Sequence, residues 1–173
     1  MRFEKALAAQ DSATAALGAW CAKARLADPP RIIAMPTLGG DHAEPADLRQ
    51  VLAIASNETV RLRHVRLACG GVVMSEATNW YVPARLTAEM NAVLDSTTGP
   101  FGAVATPLGF RRERLASLRG ALPGCPARTV LSHRARLILP DGRPLALLQE
   151  CYQPEALIPG GNWDKIPRAD GRP

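Results

Sequence analysis

The sequence predicts an α+β fold, in which a single antiparallel sheet built from two hairpin-containing halves carries helices packed on one face. Two arginine-rich segments, 60–67 and 129–139, alternate between apolar and polar residues, as strands of a half-buried sheet do. Each is followed by a glycine-containing turn and a returning strand, which is the pattern of a β-hairpin. The returning strands run toward Pro83 and Pro154, so the two hairpins resemble equivalent halves of one sheet.

Helices are predicted before, between and beside these hairpins. Residues 3–26 are alanine-rich with apolar positions at helical spacing, and Asp11-Ser12 is a suitable N-cap for a second helix within that stretch. Further helices are expected over 47–55, from Thr87 onward, and from Pro100, because proline is favoured at the first turn.

The remaining strands are expected at 31–35 and 108–118. A chain of 173 residues is long enough for one domain with a substantial core, and we place that domain at residues 1–154. Residues 155–173 are rich in proline, glycine and charge, which predicts a poorly ordered tail.

The charge is basic but dispersed. The chain has 21 Lys and Arg against 16 Asp and Glu, and only three of the 21 are Lys. Arginine suits bidentate contact with carboxylate or phosphate. The densest basic run is only Arg111-Arg112-Glu113-Arg114, and aromatic residues make up 5% of the chain, so no nucleic-acid surface is predicted.

No apolar run reaches transmembrane length, and the first residues lack the apolar stretch of a signal peptide. We therefore predict no membrane insertion and a cytoplasmic protein, although an exported protein without its signal would look the same. Cys21, Cys69, Cys125 and Cys151 form no Cys-x-x-Cys pair, so no metal site is predicted and buried free thiols are expected. A Cys21–Cys69 disulfide would require an oxidising compartment.

Two charged residues stand out as a candidate binding pair. Arg63 in the first hairpin and Glu150 in the apolar returning strand of the second could converge on a small anionic ligand. Each has a simpler alternative: Glu150 could pair with Arg134 or Arg136, and Arg63 could lie on a solvated strand face. Arg112 could be a second cation of the site or an exposed residue.

Several short motifs in this order resemble the chorismate pyruvate-lyase-like family. The likeness spans about residues 11–154 and rests on five segments: Asp11-Ser12-Ala13-Thr14, Leu62-Arg63-His64-Val65, Trp80-Tyr81-Val82-Pro83, Thr98-Gly99-Pro100-Phe101-Gly102 and the Glu-bearing strand Leu148 to Pro154. The same fold serves as the effector-binding UTRA domain of GntR-type regulators. The resemblance implies the fold predicted above.

The resemblance also implies a function: elimination of pyruvate from chorismate to give 4-hydroxybenzoate, without metal or organic cofactor. Arg63 would bind a ligand carboxylate, Glu150 would be the catalytic acid, and Phe101 and Gly102 would hold a second anion through their backbone, with Arg112 as a further cation. Ala13 and Phe101 replace a Met and a Leu of the family and alter the pocket. The alternative is a non-catalytic protein that binds a small aromatic or cyclohexadienyl carboxylate.

Overall fold

The computed structural model describes residues 2–37 and 42–157. The helices are α1 (Arg2–Ala8), α2 (Ala13–Ala24), α3 (Leu48–Val51), α4 (Ala88–Ser96) and α5 (Phe101–Ala105). The strands are β1 (Ile32–Pro36), β2 (Arg61–Cys69), β3 (Val72–Tyr81), β4 (Arg111–Leu118), β5 (Leu131–Ile138) and β6 (Pro144–Tyr152). Short 3-10 helices cover Pro83–Arg85, Thr106–Leu108 and Pro154–Leu157.

The six strands form one antiparallel sheet in the order β1-β2-β3-β6-β5-β4. Each half contributes one hairpin and one edge strand, and the halves meet where β3 pairs with β6. The predicted α+β class with a single antiparallel sheet is confirmed.

Local sequence signals explain where these elements begin and turn. The Ser12 side chain accepts a hydrogen bond from the Ala15 N–H and caps α2, and Thr87 caps α4 in the same way. The β2–β3 turn uses Gly70 at φ 57°, a left-handed conformation that glycine adopts without steric cost. The predicted capping residues and the first hairpin turn are thereby confirmed.

The apolar core divides between the two faces of the sheet. On one face α1 and α2 bury residues such as Phe3 and Leu17 against β2 and β6, while α4 and α5 pack beside them around Phe101. On the other face the short α3 places Leu48 and Leu52 against Trp80. The sheet therefore has a helix-covered face and a second face that is covered by α3 and by loops.

All four cysteines are paired, so the prediction of buried free thiols is wrong. Cys21–Cys69 joins α2 to β2, and Cys125–Cys151 joins the loop before β5 to β6, with Cα–Cα distances of 6.2 and 5.6 Å. Such distances are normal for disulfides. The partners are 48 and 26 residues apart, so cysteine spacing alone could not identify the pairs.

Ordered structure extends past the predicted domain boundary at residue 154. The turn Pro154–Leu157 buries Ala156 completely, and the Trp20 indole N–H donates to the Ala156 carbonyl oxygen at 2.7 Å. The rest of the predicted tail, residues 158–173, lies outside the described residues. In the described ranges, no helix has both the length and the apolarity needed to cross a membrane.

Candidate functional site

A cleft lies on the helix-covered face of the sheet, against the starts of α2 and α5, with a cavity volume of about 30 Å³. The sheet supplies a mostly apolar floor and one carboxylate. Its lining consists of Val65, Leu67, Ala77, Asn79, Leu137, Leu148 and Glu150 from the strands, residues 11–14 at the start of α2, and Phe101, Gly102 and Phe110. The cleft is therefore an apolar space with a few polar groups, which is the usual composition of a small-molecule site.

Glu150 is a buried carboxylate, with only 3% of the residue exposed. Its Oε2 forms an ion pair with the Arg112 guanidinium and accepts a hydrogen bond from the Tyr152 hydroxyl at 2.8 Å. His133, its cross-strand partner on β5, places Nδ1 3.9 Å from the same oxygen and 3.4 Å from Arg112 Nη2. Four buried side chains thus form one connected polar cluster beneath the cleft.

Burial determines the protonation of two members of this cluster. Desolvation lowers the pKa of His133 to about 4, and the positive charges of Arg112 and Arg114 act in the same direction. Desolvation also raises the pKa of Tyr152 well above its usual value, and the Glu150 charge adds to the effect. At neutral pH the imidazole and the phenol are therefore uncharged, and the Arg112–Glu150 pair carries the charge of the cluster.

The partner of Glu150 is Arg112, so neither Arg134 nor Arg136 fills that role. Both of those arginines lie on the opposite face of the sheet, where Arg134 pairs with Asp47 and Arg136 with Glu113. The alternative of an exposed Arg112 is also wrong, because its side chain is only 5% exposed. The physical reason is strand order: β4 pairs with β5 and β5 with β6, so the Arg112 side chain, on the same face of the sheet as Glu150, reaches it across β5.

Arg63 lies on the same face of the sheet as the cleft, at its edge. Its cross-strand partner Asn79 and its same-face neighbour Val65 both line the cleft, although Arg63 itself is not a lining residue. Arg63 is partly buried, and this burial lowers the pKa of its guanidinium. Nη1 is buried without a hydrogen-bond partner, and Nη2 makes one long contact, 3.5 Å, to the Thr97 carbonyl oxygen.

Phe101 and Gly102, two of the predicted site residues, both line the cleft. Phe101 is 4% exposed and packs against Tyr81 at a ring-centroid distance of 5.1 Å. A Cβ on Gly102 would lie 2.7 Å from Ser12 Oγ and 2.9 Å from Thr14 Oγ1. The close approach of α5 to α2 therefore explains this glycine, whether or not its backbone binds an anion.

The structure thus gathers Glu150, Phe101 and Gly102 around the cleft, with Arg112 behind Glu150 and Arg63 at the edge. Sequence reasoning missed Tyr152 and Asn79. Tyr152 was detectable because it lies two residues after Glu150 and so on the same strand face. Asn79 had no comparable signal, because its position opposite Arg63 depends on the hairpin register.

Within residues 2–37 and 42–157, no group of three His, Cys, Asp or Glu side chains is placed to hold a metal ion. The polar side chains that line the cleft are Glu150, Asn79, Asp11, Ser12 and Thr14.

Known structures share this fold at low sequence identity. The ligand-binding domain of a putative GntR-family regulator from Bordetella bronchiseptica is 17% identical with a TM-score of 0.51, over 72% of this chain and 83% of that chain. PhnF from Mycobacterium smegmatis is 15% identical with a TM-score of 0.53, over 73% of this chain and 60% of that chain. The C-terminal domain of the histidine utilization repressor from Pseudomonas syringae is 10% identical with a TM-score of 0.52, over 77% of this chain and 99% of that chain. These likenesses support the chorismate lyase-like fold shared with UTRA domains, and they do not extend to the lyase family itself.

No protein-family model matches the sequence. A protein of Sinorhizobium fredii, the uncharacterized protein y4mC, is 39% identical over 160 residues, which cover 82% of this chain and 68% of that protein. This sequence identity of 39% is far above the 10–17% identity of the structural neighbours described above, and it extends over most of both chains. The chain therefore belongs to the same family as y4mC of Sinorhizobium fredii.

Proposed function

We propose that the cleft binds a small organic anion of the aromatic or cyclohexadienyl carboxylate class. The observation that carries this proposal is Arg63, a partly buried guanidinium with one nitrogen that has no partner. Arg61, two residues earlier on the same strand, donates through Nη1 to both carboxylate oxygens of Asp95, at 2.9 and 2.8 Å. In the part of the chain that the structure describes, Arg63 has no such carboxylate.

An unpartnered buried donor is costly, and the cost is larger for a charged group. A carboxylate from a ligand would remove it, because the planar guanidinium matches a carboxylate in a bidentate hydrogen bond. Arg112 Nε also lacks a partner, but this guanidinium lies behind Glu150 with only 5% of its side chain exposed, so Arg63 is the more accessible arginine.

The rest of the cleft matches the chemistry of the body of such a ligand. Val65, Leu148, Phe101 and Phe110 offer apolar contacts to a ring. The Bordetella bronchiseptica neighbour is described as a ligand-binding domain, which supports the same use of the fold.

Isothermal titration with 4-hydroxybenzoate tests the proposal. Arg63→Gln should weaken binding about 10-fold or more, because a hydrogen bond to a charged group contributes about 1.5–3 kcal/mol. Arg66→Gln is the matched control, since Arg66 is an exposed arginine on the same strand but on its other face, and it should bind like the wild type. Equal affinities for both variants would refute the role of Arg63.

A second candidate function is the pyruvate elimination that the family resemblance implies, with Glu150 as the catalytic carboxyl. The observation in its favour is that Glu150 borders the cleft while being almost fully shielded from water. The ion pair with Arg112 stabilises the charged carboxylate, which fits a base or an electrostatic role better than proton donation.

The lyase candidate predicts that the protein releases pyruvate from chorismate. The pyruvate is measured by its reduction in a coupled assay with lactate dehydrogenase. Glu150→Gln should lower the rate by about 10²-fold or more, which is typical of a lost acid–base group. If the wild type releases no pyruvate above the uncatalysed rate but binds 4-hydroxybenzoate, the cleft is a binding site without this activity.

A further inference from the structure

A second cavity lies on the opposite face of the sheet and is not part of the cleft. It has a cavity volume of about 620 Å³, against about 30 Å³ for the cleft. One wall is the segment 42–47 that leads into α3, and the other is the loop segment 122–124 before β5. The sheet separates the two spaces, because side chains alternate between its faces.

The floor of this cavity is a row of side chains that crosses four strands. Thr78, Gln149, Arg134 and Ala116 are successive cross-strand neighbours on β3, β6, β5 and β4, and Trp80 follows Thr78 on the same face. Thr78 is buried, and Arg134 and Gln149 are half-buried, so three polar side chains in line face this cavity. Their alignment indicates a polar binding strip beside an apolar ring.

Part of the hydrogen-bonding capacity of this strip is unused. Gln149 Nε2 donates to the Pro123 carbonyl oxygen at 2.7 Å, which leaves the amide oxygen free of partners in the described ranges. Arg134 donates through Nη2 to Asp47 at 2.6 Å, and its Nε and Nη1 make no bond to any described residue. The Thr78 hydroxyl likewise has no partner there and is not among the fully buried polar atoms.

The wall next to Gln149 is held rigidly. The Cys125–Cys151 disulfide ties the loop to β6, and the Leu122 N–H donates to Ser132 Oγ at 2.9 Å. Gly124 has φ +87°, and a Cβ there would lie 3.0 Å from Gln149 Nε2. Close packing and a covalent link therefore pre-form this side of the cavity, which reduces the ordering cost of binding.

The charges in the lining are of both signs. Arg134 is the cation, and Asp47 and Glu44 are carboxylates of the opposite wall. A simple anion would meet the carboxylates, and a simple cation would meet Arg134. A molecule that carries both charges can place a carboxylate on the free nitrogens of Arg134 and an ammonium near the carboxylates.

We propose that this cavity binds a free α-amino acid with an apolar side chain. Arg134 binds its carboxylate, Asp47 and Glu44 attract its ammonium group, and Trp80 contacts the side chain. The site is independent of the cleft, since the two share no lining residue.

The test is isothermal titration of the full chain with L-phenylalanine and L-leucine, and with two analogues of phenylalanine. 2-Phenylethylamine lacks the carboxylate and 3-phenylpropanoate lacks the ammonium group. We expect saturable binding of at least one amino acid, and affinity at least 10-fold lower for both analogues. Absence of saturable binding by both amino acids would overturn the proposal, as would equal binding of either analogue.

Two variants locate the site. Arg134→Gln should weaken amino-acid binding at least 10-fold, whereas Arg136→Gln, the matched control on the same strand face, should not. Thr78→Val keeps the side-chain shape and should weaken binding measurably even if Arg134→Gln fails to fold. Arg63→Gln should leave it unchanged, and a loss of amino-acid binding in Arg63→Gln would place the ligand in the cleft and refute the proposal.

Discussion

Replacing Arg112 by methionine tests whether the buried charge pair beneath the cleft is organised as the structure indicates. Methionine removes the charge but retains a long, flexible apolar side chain. The side chains of Arg112 and Glu150 are 5% and 4% exposed, so water cannot replace the lost guanidinium. After the substitution, the Glu150 carboxylate still accepts a hydrogen bond from the Tyr152 hydroxyl at 2.8 Å and still lies beside His133. Neither neighbour carries a positive charge at neutral pH.

The magnitude follows from leaving one buried charge without its partner. Breaking a buried pair in this way typically costs about 3–5 kcal/mol of unfolding free energy. For a chain of this size each kcal/mol lowers the melting temperature by about 2–4 °C, so Arg112→Met should melt about 6–20 °C below the wild type. The double variant Arg112→Met/Glu150→Gln should recover much of this loss, because no unpaired charge remains and the amide oxygen can still accept from Tyr152.

Urea unfolding and thermal melts at pH 7 without reductant measure these differences. The control is Arg143→Met, whose partner Asp141 is exposed on the β5–β6 turn, and its melting temperature should equal that of the wild type within error. A single Arg112→Met variant that melts like the control would refute the buried pair. Strict additivity of the two single substitutions would refute the coupling between them.

Three further outcomes are expected. Gly102→Ala should destabilise by about 1–3 kcal/mol in urea unfolding, because its Cβ would clash with the α2 N-cap hydroxyl at 2.7 Å, whereas Gly71→Ala, with open space around it, should not. Removing the Cys125–Cys151 disulfide should cost up to about 3.5 kcal/mol for partners 26 residues apart, and reactive thiols in the oxidised protein would contradict the pairing. The His133 pKa of about 4 lies below the unfolded value of 6.5, so the free energy of unfolding should fall as the pH drops from 6.5 toward 4. The loss should reach about 2 kcal/mol at pH 5. The His133→Asn variant should lose correspondingly less unfolding free energy over the same pH range.

The sequence was sufficient to predict most elements because their signals are local. Ser12 and Thr87 are side-chain caps, and the Gly70 turn and the period-two alternation define a hairpin, each within a few residues. Strand order is not local, and it determines which charges meet. Arg112 is 38 residues from Glu150 and no pattern connects them, whereas Arg134 and Arg136 are nearer in sequence but lie on the wrong face.

The sequence also could not predict that Arg61 has a carboxylate partner and Arg63 has none among the described residues. Both residues lie on the same face of β2, so alternation treats them alike. Asp95 on α4 pairs with Arg61 and leaves Arg63 without a carboxylate, and the position of α4 over the sheet is a tertiary feature. A candidate ligand-binding arginine can therefore be selected from the pattern, but its availability is known only from packing.

The disulfides bear on where the chain functions. Stable disulfides are typical of oxidising compartments and rare in the cytosol. Two cross-links that use every cysteine of the chain therefore favour the exported alternative over the cytoplasmic prediction. A fusion-reporter assay of the protein in its own cells would test this inference, and a protein retained in a reducing compartment with four free thiols would contradict it.

The register of β5 against β6 separates the residues of the two proposed sites onto opposite faces of one sheet. Glu150 and Gln149 are consecutive on β6, and their partners His133 and Arg134 are consecutive on β5, so each pair faces a different side. A one-residue slip between these strands would exchange the faces and place an arginine opposite Glu150. Residues of opposite faces cannot compensate for one another across the sheet. Substitutions at Glu150 and at Gln149 should therefore affect binding at different cavities.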